Sequence, residues 1–129
     1  MTALSDHAEN LVLNWLLTEG SVTRPSAWYV ALHTGDPGES GSAAELSGNG
    51  YQRQEVEFAA ASGGATENVG QLTFGPNTNS NWGTVTHISV WDAPSGGNCL
   101  LKGALSSAVT INVGDSLVIG AGNLDVTLD

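Results

Sequence analysis

The sequence has very little positive charge and only one cysteine. The basic residues other than histidine are Arg24, Arg53 and Lys102. There are 13 acidic residues, so the formal net charge is −10. Nucleic-acid binding needs clustered lysine and arginine to displace counterions from phosphate, and anionic membrane surfaces attract the same side chains. The composition therefore predicts neither a nucleic-acid partner nor a membrane partner. It does not identify the correct partner.

The single cysteine, Cys99, excludes a disulfide within the chain and a cysteine zinc cluster. Cys99 precedes two leucines, so we expect it to behave as a small buried hydrophobe. No basic segment opens the sequence, no N-x-Ser/Thr sequon occurs, and no apolar run approaches the length of a membrane span. These absences predict synthesis and solubility in a reducing cytoplasm, whatever the protein later joins.

One segment, over about residues 6–19, has the pattern of an amphipathic helix. Asp6 followed by Glu9 forms a capping-box pattern at its start. Apolar residues recur at helical spacing on one face: Ala8, Leu11, Val12, Trp15 and Leu16. Leu13 and Leu17 widen that face. So wide a face requires a cover, either the body of the domain, which we favour, or a neighbouring subunit.

The remaining sequence has the pattern of short strands separated by turns rich in glycine, proline, serine and asparagine. Alternating or β-branched residues define eight segments: 27–33, 51–58, 69–74, 84–92, 98–105, 108–112, 116–119 and 124–128. About eight strands at this spacing predict a mainly β fold, a jelly-roll-like β-sandwich of short antiparallel strands with one N-terminal α-helix. A single domain is expected to span residues 1–129.

Two polar loops stand apart from this pattern. The longer loop, over about residues 35–50, is rich in glycine, serine, alanine and acidic residues, and we expect it to be flexible. The second, NTNSN at 77–81, ends on Trp82. Because Trp82 follows a polar loop, we predict that it is a surface anchor at an interface. The other tryptophans are predicted to lie in the core: Trp15, Trp28 and Trp91.

An interaction surface is expected on both loops and on the helix. The side chains selected within these segments are apolar on the helix and acidic, amide or aromatic on the loops: Leu13, Leu17, Asp36, Glu39, Glu45, Asn79 and Trp82. Polar loops of this kind have no intrinsic reason to be ordered alone, and contact with a neighbour orders them. The helix is expected to pack between subunits.

Patterns for catalysis and metal binding are absent. His33 and His87 have aspartates nearby and could in principle bind zinc, but there is no HExxH and no histidine pair on one face. The acidic residues of the 35–50 loop lack EF-hand spacing, so a solvated loop accounts for them. No GxSxG, Walker or dinucleotide glycine motif occurs, although composition alone does not exclude a Ser/His/Asp triad. We predict a protein that is not an enzyme and that has no cofactor and no metal site.

Four stretches carry a resemblance to a known family: WYVALHTGDPGE at 28–39, GYQRQ at 50–54, WGTVTHISVWDAPSGGN at 82–98 and the ending AGNLDVTLD. They look like the small virion structural proteins of tailed phages that are often labelled phage tail fibre proteins and are related to capsid decoration, or cement, proteins. The resemblance runs over nearly the whole chain and carries no functional residues. It implies a part of the bacteriophage virion, made in the host cytoplasm, without deciding between head and tail.

Within this class, we predict a capsid decoration (cement) protein that stabilises the head by binding the outside of the coat lattice. A long fibre usually has repeats or a coiled-coil shaft, and the sequence has neither. The expected partners are the major capsid protein and further copies of the chain, as a homotrimer. The alternative is a tail-fibre or head-fibre module that binds a host-surface glycan, with aromatic residues such as Trp82 or Tyr51 lining a groove. An enzyme, such as a small hydrolase, is the least favoured class.

Overall fold

The computed structural model describes residues 2–128. In this part of the chain there are nine β-strands, all in antiparallel pairs, and one α-helix. The elements are β1 (Thr2–Leu4), α1 (Asp6–Leu17), β2 (Trp28–His33), β3 (Gln54–Val56), β4 (Ala65–Glu67), β5 (Leu72–Phe74), β6 (Gly83–Trp91), β7 (Cys99–Ile111), β8 (Leu117–Ile119) and β9 (Asp125–Thr127). The predicted mainly β fold with one helix near the start is confirmed.

Five strands form the main sheet, in the order β1–β7–β6–β2–β3, while β4 pairs with β9 and β5 pairs with β8 in two short ladders. The β5–β8 ladder packs against one face of the main sheet, which gives a sandwich-like arrangement. The buried residues between them form the main core: Val30, Leu32, Val56, Leu72, Phe74, Trp82, Val85, Ile88, Val90, Ile111, Leu117 and Leu124. The alternation of apolar residues predicts one face of β2 with Trp28, Val30 and Leu32, and this is the face that packs in the core.

The strand predictions need two corrections. The strands β1 and β4 were not expected, since each has only three residues and no alternation long enough to detect. The predicted segments 98–105 and 108–112 are one continuous strand, β7, so the prediction of two strands is wrong. The register nevertheless shifts between them, because Val85 faces Val109 whereas His87 faces Ala104. Four residues of β7 therefore lie opposite one residue of β6, and a bulge replaces the expected turn.

The second face of β2 is also buried, which alternation did not predict. Ala31 and His33 are fully buried on this face, and Ala31 packs with Trp91 and Cys99 in a second, smaller cluster. The 35–50 loop covers them by folding back along β2. Its backbone is tied by two hydrogen bonds, from Thr34 N to Ala44 O at 3.0 Å and from Leu46 N to Leu32 O at 3.0 Å. Strand β2 is thus covered by the core on one side and by this loop on the other.

Candidate interaction surface

Helix α1 is fixed to the sheet only at its start. Ser5 caps the helix: its Oγ accepts a hydrogen bond from Ala8 N at 3.2 Å and donates one to Cys99 O. The Ser5 amide donates to Leu100 O at 2.9 Å. The prediction that Asp6 opens a capping box is therefore wrong, because Ser5 provides the capping oxygen and Asp6 is the first helical residue. These bonds join the turn before α1 to β7.

The second half of α1 lies in solvent. The exposed fractions are 52% for Leu13, 71% for Trp15, 62% for Leu16 and 75% for Leu17. Leu13 and Leu17 are thus available for the contacts predicted for them, and their role in an interface stays a prediction. The favoured expectation that this face docks on its own domain is wrong beyond Val12, and so is the prediction that Trp15 lies in the core. Periodicity identified the apolar face but did not show that the sheet stops short of it.

Trp82, in contrast, is buried. It is only 5% exposed and belongs to the main core, so the prediction of a surface anchor is wrong. Its ring meets the edge of Tyr51 at a centroid distance of 5.9 Å, and its Nε1 donates to Asn49 O at 3.2 Å. The polar loop before Trp82 ends where the chain turns inward, since the amide of Trp82 donates to Ile111 O at 3.3 Å.

Asn49 joins the two predicted loops. Its carbonyl oxygen accepts from Thr78 N at 2.9 Å, and its Nδ2 donates to Ser80 Oγ at 2.7 Å. Asn79 lies between these two contacts and is exposed, so it remains available to a partner. The sequence did not single out Asn49, whose φ of 55° is in the left-handed region that asparagine tolerates.

The acidic residues at the start of the 35–50 loop surround a lysine of β7. Lys102 Nζ lies 2.9 Å from Glu39 Oε1 and 3.4 Å from Asp36 Oδ1, and both carboxylates are largely exposed. The hydrogen bond from Gly38 N, followed by that from Lys102, lowers the pKa of Asp36. The bond to Glu39 raises the pKa of Lys102. Exposed pairs of this kind contribute little stability, so these carboxylates can exchange partners at an interface.

Glu45 has a different role from the one predicted for it. Its two oxygens accept from Arg53 Nε at 2.8 Å and Arg53 Nη2 at 2.9 Å, and Oε1 also accepts from the Tyr51 hydroxyl at 2.9 Å. Burial alone would raise the pKa of Glu45, but the bonds from Arg53 and Tyr51 outweigh it and lower that pKa. The side chain is 21% exposed and its oxygens are occupied. Glu45 therefore fastens the loop to the sheet; contact with a partner stays a prediction.

The alternation in residues 51–58 predicts that Arg53 faces outward, which is wrong, because its side chain is only 8% exposed. Its guanidinium lies 3.9 Å from the ring centroid of Trp91. Nη1 donates to Ala93 O at 3.0 Å and to Gly96 O at 2.9 Å. Arg53 thus joins β3, the 35–50 loop and the turn after β6. Its rarity in so acidic a chain was the only sequence signal that could have identified it.

A directed chain of hydrogen bonds runs beneath the same loop. Trp91 Nε1 donates to Ser89 Oγ at 2.7 Å, Ser89 Oγ donates to His33 Nε2 at 2.6 Å, and His33 Nδ1 donates to Ala43 O at 2.8 Å. The Ala43 carbonyl can only accept, so Nδ1 carries the proton, and in a neutral ring Nε2 then accepts from the Ser89 hydroxyl. Burial lowers the pKa of His33, which is consistent with a neutral ring in this chain.

The described residues, 2–128, contain no group of histidine, cysteine and acidic side chains placed to hold a metal ion. The thiol of Cys99 is buried, and burial raises its pKa to about 11, which makes it a poor nucleophile. His33 uses both ring nitrogens in structural bonds. Within the same residues, α1 is too short and not apolar enough to span a bilayer.

Residues 3–127 match a protein-family model described as Podophage GP4 fiber I protein gp80. Because the match covers almost the whole chain, the protein belongs to this family of phage virion structural proteins of fibre type. The resemblance inferred from the sequence is thereby confirmed at the level of the virion. No curated protein matches the chain.

Proposed function

We propose that this member of the podophage fibre family is a non-catalytic structural subunit of a virion fibre, attached to neighbouring subunits through the end of α1. The observation that carries the proposal is the exposed apolar group of Leu13, Trp15, Leu16 and Leu17. Contiguous exposed apolar surface on a soluble protein marks a contact site. The match shows a phage structural protein, and the word fibre in the family's description is our ground for proposing a fibre as its location.

The interior of the protein supports a structural role. Three polar side chains could react: Glu45, Arg53 and His33. Glu45 and Arg53 are bonded to each other, and His33 is bonded to Ser89 and to Ala43, so these side chains hold the 35–50 loop in place. Glu45 and Arg53 border an open groove, but their donors and acceptors are used within the chain, and His33 is fully buried, which favours a structural role for all three. The formal charge of −10 also disfavours contact with packaged DNA.

Images of the virion at a resolution that identifies the fold test the location. We expect copies of the β-sandwich in a fibre, in a number that matches the few fibres of a particle. Antibody labelling of intact particles, with particles lacking the gene as the control, gives an independent location. A virion without the protein would refute the structural role, whereas copies spread over the capsid would refute the fibre location only.

A capsid decoration protein is the second candidate. The short strands and the absence of repeats favour it, since a fibre shaft is usually elongated. In this role the acidic body would lie on the outside of the coat lattice and contact the major capsid protein. The same images discriminate, because decoration predicts a copy number comparable to that of the coat protein.

Glycan binding by a fibre module remains part of the first candidate. An open groove of about 590 Å³ lies beside Tyr51, Gln52 and Ser95. Tyr51 lines this groove, with its hydroxyl bonded to Glu45 and to Leu32 N, whereas Trp82 is buried and does not line it. A glycan array with the purified chain tests this activity, and silence would leave attachment as the role.

A further inference from the structure

One dipeptide of the chain is chemically reactive without any catalyst. Among the asparagines of the sequence, only Asn49 is followed by a glycine. The backbone nitrogen of a following residue can attack the side-chain carbonyl carbon of asparagine and close a succinimide ring. Glycine hinders this attack least, because it has no side chain and the least restricted backbone. Asparagine is among the thermolabile residues. The sequence thus identifies Asn49 and Gly50 as the reactive pair.

The fold requires both residues of this pair. Gly50 has a φ of 86°, and a Cβ at this position would collide with the carbonyl oxygen of Pro76, so a side chain does not fit. Asn49 has a φ of 55°, in the left-handed region that asparagine tolerates better than most residues. Its Nδ2 also donates to Ser80 Oγ at 2.7 Å. The reactive dipeptide therefore follows from the way the 35–50 loop meets the 77–81 loop.

The attacking nitrogen is accessible, whereas the leaving nitrogen is held. Gly50 is exposed, and its amide donates no hydrogen bond within residues 2–128. Base can therefore remove its proton, and water can reach the ring that forms. Asn49 is half-buried, and the bond from its Nδ2 to Ser80 Oγ must break before that nitrogen leaves. The fold thus slows the reaction without preventing it.

Other asparagines lack one or both of these properties. Asn68 and Asn77 are only 1% exposed, and their side-chain amides donate to backbone carbonyls. Asn79 is exposed, but it precedes Ser80, whose Cβ hinders the attack. Within the part of the chain that the structure describes, Asn49 alone combines a following glycine with contact to solvent.

We propose that Asn49 is a site of spontaneous deamidation, restrained by Ser80, and that its conversion loosens the junction of the 35–50 loop with the 77–81 loop. Gly50 N bonds to Cγ of Asn49, the Cγ–Nδ2 bond breaks, and Nδ2 leaves as ammonia with the proton that Gly50 N has lost. Water then opens the succinimide at either of its carbonyls, which yields aspartate or isoaspartate. The reaction consumes one water molecule and needs no oxidant, metal or enzyme.

Conversion changes the junction between the loops in two ways. A carboxylate cannot donate, so the bond from Nδ2 to Ser80 Oγ is lost. Isoaspartate also lengthens the backbone at the residue whose carbonyl accepts from Thr78 N at 2.9 Å and from Trp82 Nε1 at 3.2 Å. Each converted copy gains a negative charge beside the open groove that Ser47 and Gly48 line. This chemistry is independent of where the protein lies in the virion.

Peptide mapping by mass spectrometry, after incubation of the purified full chain at neutral and mildly alkaline pH, tests the site. The synthetic peptide SGNGYQ, residues 47–52, is the unrestrained reference. We expect acid to form at position 49 before any other asparagine, and more slowly than in the peptide. The rate should rise with pH, because the nucleophile is the deprotonated amide. The chain unfolded in urea should react as fast as the peptide.

Ser80→Ala tests the restraint. The substitution removes the acceptor for Nδ2, so the rate at position 49 should rise by about 2- to 10-fold, the factor that corresponds to one hydrogen bond. Ser106→Ala, at an exposed position of β7, is the matched control and should leave the rate unchanged. Circular dichroism should show that both variants remain folded.

Asn49→Asp tests the effect of conversion on the junction. It carries the charge of the product and lacks the donor to Ser80, so we expect a lower urea midpoint than for Asn81→Asp, which adds the same charge at an exposed position nearby. Equal midpoints would overturn the loosening of the junction. The deamidation site would be overturned by an intact Asn49 when the peptide has converted, by earlier conversion elsewhere, or by equal rates in Ser80→Ala and Ser106→Ala.

Discussion

The guanidinium of Arg53 lies 3.9 Å above the ring of Trp91, and the same group holds both carboxylate oxygens of Glu45. This stack joins β3 and β6 to the loop that covers the second face of the sheet. Arg53 is therefore part of the interior, although it occurs in a polar stretch beside an exposed strand residue, Glu55. The first prediction follows from this contact.

Arg53→Met keeps much of the side-chain stem but removes the charge and every donor. Glu45 then remains in a half-buried position without its cation, so we expect the free energy of unfolding to fall by about 2–4 kcal/mol. Urea denaturation measures the change. Arg24→Met, at an exposed position, should change it by less than about 0.5 kcal/mol. Equal effects of the two substitutions would contradict the role given to Arg53.

The stability of the protein should depend on the protonation of His33. Burial lowers the pKa of His33 in the folded state, so the unfolded state binds more protons as the pH falls below the ordinary histidine value of about 6.5. The stabilisation is therefore complete above that pH and is lost as the pH falls from it toward the lowered folded pKa. Burial outweighs the bond to Ala43 O and the charge of Glu45, which raise the pKa of His33, while Arg53 and His87 act in the same direction as burial.

Unfolding free energies measured across this range for the wild type, His33→Gln and His7→Gln test the dependence. The slope should disappear in His33→Gln and persist in His7→Gln, since His7 is exposed. A slope that survives in His33→Gln would assign it to another group. The loss of stability from Glu45 belongs to a lower range, below the ordinary glutamate value, because its pKa is lowered as well.

Ser5→Ala should detach the start of α1 from the sheet. The substitution removes the acceptor for Ala8 N and the hydroxyl bonded to Cys99 O. We expect a loss of about 1–2 kcal/mol in stability and a lower helical signal in circular dichroism. Ser106→Ala, at an exposed position of β7, is the control. If both variants behave alike, Ser5 is not the residue that anchors the helix.

Alanine substitutions at two glycines of the 35–50 loop distinguish the cost of a left-handed backbone from the cost of a steric clash. Gly38 and Gly41 have φ of 74° and 75°, but only Gly41 would direct a Cβ against Cys99 and Trp91. Gly38→Ala should cost about 1–2 kcal/mol, the price of the left-handed backbone. Gly41→Ala should cost more, about 3 kcal/mol or above, because the smaller cluster must also move. Denaturation of both variants measures the difference, and similar values would show that the loop is not packed against this cluster.

The burial of Trp82 and the exposure of Trp15, both contrary to the sequence prediction, give a further test. Trp82→Ala opens a cavity in the main core, and we expect a loss of about 3–5 kcal/mol. Trp15→Ala should change stability by less than about 0.5 kcal/mol when measured at a concentration where the chain is monomeric. Thermal and chemical unfolding of the two variants provide the values. A large effect of Trp15→Ala in the monomer would show that the end of α1 docks on its own sheet.

Local sequence was sufficient to predict features that depend on a single strand or helix. The alternation in β2 placed Val30 and Leu32 in the core, and the spacing of α1 identified an apolar face. It failed where another element had to supply the cover. The 35–50 loop was expected to be flexible, yet its residues make bonds to β2, β7 and Arg53 that only the folded chain brings together.

By itself, the sequence determined a mainly β protein with one helix near its start, a strongly acidic composition and the family to which the chain belongs. Those properties follow from composition, hydrophobic periodicity and short motifs, which can be read from the sequence without the fold. The tertiary structure decided that Trp82 is buried while Trp15 is exposed, and that Arg53 lies inside. The physical reason is that the exposure of a side chain depends on what lies opposite it, and its opposite neighbour is usually distant in sequence.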